Sequence, residues 1–84
     1  MSENKTRVVV NIFEQEYIVR GEEPAEYIEA LAAKIDGMMT RLSKNTTLQT
    51  TQIAILTALN LADELEKIKQ KHAELLKLVE EGRN

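Results

Sequence analysis

Residues 47–81 read TLQTTQIAILTALNLADELEKIKQKHAELLKLVEE, 35 residues without a Gly or a Pro. Counted back from Val79, apolar positions fall at Leu75, His72 (the exception), Ile68, Leu65, Leu61, Ala58 and Ala54. The spacings alternate four and three, the signature of a heptad seam on a helix. At about 1.5 Å per residue this is a rod of roughly 50 Å. A chain of 84 residues cannot wrap such a rod in its own core. The far half of the helix must therefore find its partner on another chain. In the near half Ile53, Ile55, Leu56 and Leu59 widen the apolar surface, which predicts burial in a globular head. Beyond Leu65 the stripe narrows. Asp63/Lys67, Glu66/Lys69 and Glu74/Lys77 stand at ion-pairing helical spacings there, as on a stalk. The predicted division is a head over residues 1–62 and a coiled-coil stalk over 63–84. Near the end Leu76 and Leu78 flank the seam, which suits a bundle of more than two helices.

Upstream, Lys44-Asn45-Thr46-Thr47 is the clear break between helices. Thr46 with Gln49 has capping-box spacing, and Thr47 is an equally good N-cap. The preceding helix is predicted over 24–43. Pro24 suits its first turn, and Glu22, Glu23 and Glu26 favour the positive end of its dipole. Ile28, Leu31, Ile35, Met38 and Leu42 form its apolar stripe, widened by Tyr27 and Met39. Gly37 lies inside this pattern and costs about 1 kcal/mol relative to Ala. Close helix packing is the plain reading of it, ahead of a hinge.

Residues 6–13 (TRVVVNIF) and 17–20 (YIVR) predict two strands, with Glu14-Gln15-Glu16 as the hairpin loop and Gly21 ending the second strand. Val8, Val10 and Ile12 would face one way; Arg7, Val9 and Asn11 the other. A lone hairpin is marginal in water, so a helix must cover one face. Residues 1–5 read as a loose tail. The fold class is α+β: an N-terminal β-hairpin, then two helices, the second extended into a coiled-coil stalk.

Composition narrows the function. Aromatic residues make up 4% of a 43% hydrophobic chain, with one Phe and two Tyr. That suits helix packing better than a ligand pocket. With no Cys there is no disulfide and no thiolate chemistry, which fits a reducing cytoplasm. The polar N-terminus does not read as a signal peptide, and no stretch reaches the apolar length of a membrane span. A net charge of −3 argues against nucleic acid as the main partner. Phosphate-loop and HExxH motifs are absent, and no cofactor is implied. His72 has Ile68 and Leu76 one turn away on either side, so it reads as a polar seam residue that sets register, not a metal ligand. Glu26, Glu29 and Asp36 have no nucleophile or His beside them and read as a solvated face. The three Met are read as core filling. An enzyme is not expected.

Charge is uneven in the head. Residues 14–29 carry six acids against Arg20 alone; residues 34–47 carry Lys34, Arg41 and Lys44 against Asp36 alone. Such a basic patch is ordinary solvated surface by default. If an acidic partner docks, it docks at Lys34, Arg41, Lys44 and the loop Asn45, Thr46 and Thr47.

Several stretches resemble the ZapA family of bacterial Z-ring-associated cell-division proteins. They are Asn11-Ile12-Phe13 with a following Tyr17, Leu31-Ala32 with Ile35-Asp36-Gly37-Met38-Met39, and above all Ala58-Leu59-Asn60-Leu61-Ala62-Asp63-Glu64-Leu65. The resemblance covers about residues 8–78. One departure is visible: the family usually has Gly after the hairpin's aromatic residue, where this chain has Glu14. That bears on the turn type rather than the fold. The resemblance implies a homodimer of heads joined through stalks into a homotetramer. It implies a cytoplasmic place at the division site and a partner, the tubulin-like GTPase FtsZ, whose protofilaments are aligned and bundled. Assembly would then use Ala58, Leu61, Leu65, Ile68, His72, Leu75 and Val79. The other architecture with a strand before two helices is a ribbon-type DNA-binding dimer. Its outward strand face would offer only Arg7 as a base, and the long stalk would have no role.

Overall fold

The computed structural model describes residues 5–82. The expected loose tail lies outside them except for Lys5, as do the last two residues of the expected stalk. Four elements follow in order: β1 (Thr6–Ile12), β2 (Gln15–Gly21), α1 (Ala25–Ser43) and α2 (Thr50–Gly82). This is the predicted hairpin followed by two helices, the second 33 residues long.

The strands pair antiparallel, with Ile12 opposite Gln15, so the loop is only Phe13-Glu14. The sequence had suggested Glu14-Gln15-Glu16, with Phe13 still in the strand. Both loop residues have positive φ, 52° and 65°, the sense of a type I′ turn whose twist matches that of the strands. The shorter loop lets Gln15 and Glu16 continue the ladder, which the turn chemistry of the sequence did not announce. Val8 and Val10 point inward onto Ile28 and Ala32, and Ile12, Val19 and Ala25 pack around them. Ala32 is buried where Leu31 had been expected, and Leu31 and Tyr27 are about half exposed. The hairpin lies along the 28–32–39 side of α1, and a small residue is what lets strand and helix come close there.

The start of α2 is corrected as well. The Ile53 N–H donates to the Gln49 carbonyl, making Gln49 the N-cap, and Gln52 Oε1 accepts the Gln49 N–H at 3.1 Å. This is the reciprocal half of a capping box, three residues later than the sequence suggested. Thr46 Oγ1 instead accepts the Leu48 N–H, closing a local turn. Against α1, α2 buries Ile53 (2% exposed) and Thr57, whose hydroxyl donates to the Ile53 carbonyl at 2.9 Å. Ile55 and Leu59 stay 57% and 60% exposed, so the breadth of this half is not consumed within one protomer. Within the protomer, among the described residues, Gly37 meets no other helix either. The nearest atom to a Cβ built there is Arg41 Nη1 at 3.5 Å.

The molecule is an open shape. Its radius of gyration is 17.6 Å, against about 12 Å for a compact chain of this length. Its surface is 7149 Å², against roughly 5,000 Å² for a folded monomer of its mass. The excess is of the order that a stable interface buries.

Candidate functional site

Two surfaces carry the residues that the sequence singled out. The first is the C-terminal end of α1 with the loop after it. Lys34 and Arg41 are seven residues apart and share a helix face. Lys44 is the C-cap, and all three side chains are exposed. Bases at this end complement the negative pole of the helix dipole. The helix tightens as it ends: the Lys44 N–H donates to the Arg41 carbonyl at 3.3 Å, and the Asn45 N–H to the Leu42 carbonyl at 3.4 Å. The Arg41 side chain runs back one turn over Gly37. Asn45 and Thr47 are exposed, whereas Thr46 is half-buried with its hydroxyl oxygen engaged in the turn.

A shallow cleft joins this patch to α2. Met38, Arg41, Leu42 and Asn45 line one side and Asn60 the other. Asn60 was quoted only as part of a sequence stretch. Its position in the cleft depends on how α2 crosses α1, which no local pattern reports. Asp36 is the second residue that the sequence misplaced. It does not lie on a purely solvated face: its Oδ1 accepts the Phe13 backbone N–H at 2.7 Å, tying α1 to the hairpin turn.

The second surface is the length of α2. Ala54 and Ala58 are exposed, Leu61 is half-buried, and Leu65, Ile68, His72, Leu75 and Val79 are all exposed along one seam. Lys67 pairs with Asp63 at 3.0 Å and Lys69 with Glu66 at 3.5 Å, both on the solvated side. In these pairs both partners stay largely exposed, so they add little to stability. Leu76 and Leu78 extend the apolar surface beside the seam, and both are more than half exposed. A second apolar area lies on the head, where Ile12, Phe13, Tyr17 and Ile18 face Ala54 and Ile55 across a groove.

Among the described residues no group of three or more His, Cys, Asp or Glu could hold a metal ion. Among the described residues no helix is long and apolar enough to cross a membrane.

Comparison with known proteins agrees over nearly the whole chain. The family model for "Cell division protein ZapA" matches residues 8–83. The cell division protein ZapA of Halalkalibacterium halodurans is 43% identical over 67 residues, 79% of this chain and 74% of its own. That of Bacillus mycoides is 40% identical over 73 residues, covering 86% and 82%. Among solved structures, a ZapA mutant dimer from Geobacillus stearothermophilus superposes with a TM-score of 0.71 at 35% identity, over 90% of both chains.

Proposed function

The chain belongs to the ZapA family of cell division proteins, and from that premise we propose that it is a non-enzymatic scaffold that binds FtsZ protofilaments and crosslinks them in the Z-ring. It works in the cytoplasm at the division site. The single observation that carries the mechanism is the unbroken exposed seam of α2. A helix with Leu65, Ile68, Leu75 and Val79 turned to water needs other copies of itself. Heads over residues 1–62 pair into a dimer, as the Geobacillus relative is a dimer by its description. The stalks over 63–84 then join two dimers into a tetramer, with His72 as the polar register position.

Each head presents Lys34, Arg41 and Lys44 with the Asn45, Thr46 and Thr47 loop to the filament. A dimer thus carries two such patches and a tetramer four. Each contact can be weak, because every contact after the first is intramolecular and gains effective concentration. The ribbon-type DNA-binding reading finds no support in the two relatives named above, both cell division proteins. Co-sedimentation with polymerised FtsZ tests the proposal. The wild-type chain should pellet with filaments, and Arg41→Glu with Lys44→Glu should pellet poorly while keeping its oligomeric mass. Equal pelleting of the double variant would remove the patch from the interface.

A further inference from the structure

The hairpin register places Arg7 directly opposite Arg20, and Val9 directly opposite Ile18. These pairs alternate away from the buried Val8 and Val10, so they lie on the face turned from α1. All four side chains are exposed, Val9 at 47% and Ile18 at 54%, and neither arginine forms an ion pair among the described residues. Directly opposed like charges weaken a strand pair. Here the protein carries that repulsion beside an exposed apolar pair, on the smallest sheet there can be. We propose that this outer face of the hairpin is a docking site for an acidic, extended segment of a partner protein, one carboxylate seated between Arg7 and Arg20 and one apolar side chain on Val9 and Ile18.

The spacing fits. Two residues along a strand advance about 7 Å with side chains on the same face, so an acid-x-apolar peptide matches the two pairs. A carboxylate between two guanidinium groups reverses their repulsion through charge-assisted hydrogen bonds. The apolar half does not end at the hairpin, because Ile18 also borders the groove shared with Ala54 and Ile55. Two other occupants fit less well. A second copy docked on this face about a two-fold axis along the strands would set arginines against arginines. One docked about a two-fold axis across them would bring Arg7 and Arg20 to Glu16, a single carboxylate for two bases. Nucleic acid would meet Val9 and Ile18 rather than further bases, with Glu16 exposed at the far end and a net charge of −3 behind. The site is separate from the basic patch on α1, so either can fail without the other.

The test uses the full chain and a fluorescein-labelled peptide of three Glu-Ser-Leu-Ser repeats, read by anisotropy. The wild type should bind it, and should not bind the same peptide with lysine in place of glutamate. Arg20→Glu turns the repulsive cross-strand pair into an attractive one. It should raise Tm while weakening peptide binding by about tenfold or more, the scale of a lost charge-assisted contact. A raised Tm also shows that the variant is folded. Val9→Ser with Ile18→Ser should weaken binding too. Equal binding of the two peptides, or undiminished binding by Arg20→Glu, overturns the proposal. So does tighter binding of a 20-base-pair DNA duplex than of the peptide. A fall in oligomeric mass for Arg20→Glu would assign the face to a second copy and overturn it as well.

Discussion

The backbone N–H of Phe13 donates to the Asp36 carboxylate at 2.7 Å, across 23 positions of sequence. It fixes the tip of the hairpin to the middle of α1. The turn it holds is unusual in composition, since Phe13 and Glu14 both take positive φ without being glycine. Left-handed backbone costs an L-residue roughly 1–2 kcal/mol. The carboxylate offsets part of that cost by satisfying an N–H that the two-residue turn leaves free.

Asp36→Ala should therefore destabilise the head by about 1–3 kcal/mol, the cost of stranding a partly buried donor or acceptor. Asp36→Asn should cost less, because its carbonyl oxygen still accepts. Glu14→Gly should stabilise by about 1 kcal/mol, since glycine takes the same φ without strain. Urea denaturation at one fixed protein concentration reads all three, because assembly makes stability concentration-dependent. No loss in Asp36→Ala would mean that the turn is held by strand pairing alone.

Thr57 supplies a contrasting case. It is 2% exposed, yet among the described residues its hydroxyl bonds only to the Ile53 carbonyl of its own helix. That carbonyl keeps its backbone partner when the hydroxyl goes. Thr57→Val should thus change stability by less than about 1 kcal/mol in either direction, whereas Thr57→Leu overpacks the contact and should cost about 1–3 kcal/mol. Thermal unfolding of the two variants distinguishes a buried packing position from a polar one.

Leu75→Glu places a charge in the stalk seam, where Leu75 is solvent-exposed in the single protomer. In an assembled stalk that charge would be buried without a partner. The expected product is a folded dimer, against the tetramer proposed for the wild type, read by analytical ultracentrifugation. A tetramer of undiminished stability would remove Leu75 from the interface.

Truncation after Lys67 tests whether head and stalk are separable. Every side chain described beyond Lys67 is exposed, so none of them supports the head. The shortened chain should keep its circular-dichroism melt for the head and should still pellet with FtsZ filaments through Lys34, Arg41 and Lys44. It should not assemble beyond a head pair. Loss of the cooperative melt would show that the head needs the stalk to fold.

The sequence alone determined the two strands, the two helices and the seam from Leu61 to Val79, because hydrophobic period is a local property of the chain. It also marked Lys34, Arg41 and Lys44 as one exposed stretch, since three bases within about three helical turns are adjacent wherever the helix lies. Register, crossing and turn geometry came only with the tertiary structure. Gln15 and Glu16 look like loop residues until the ladder pairs Gln15 with Ile12. Leu31 outranks Ala32 as a core residue until the hairpin settles over Ile28 and Ala32, one residue's turn round α1 from Leu31. Asp36 and Phe13, Arg7 and Arg20, and Arg41 and Asn60 each become neighbours only when separate elements pack. Each of those pairings is fixed by which surfaces exclude water together, and that is a property of the folded chain rather than of any window along it.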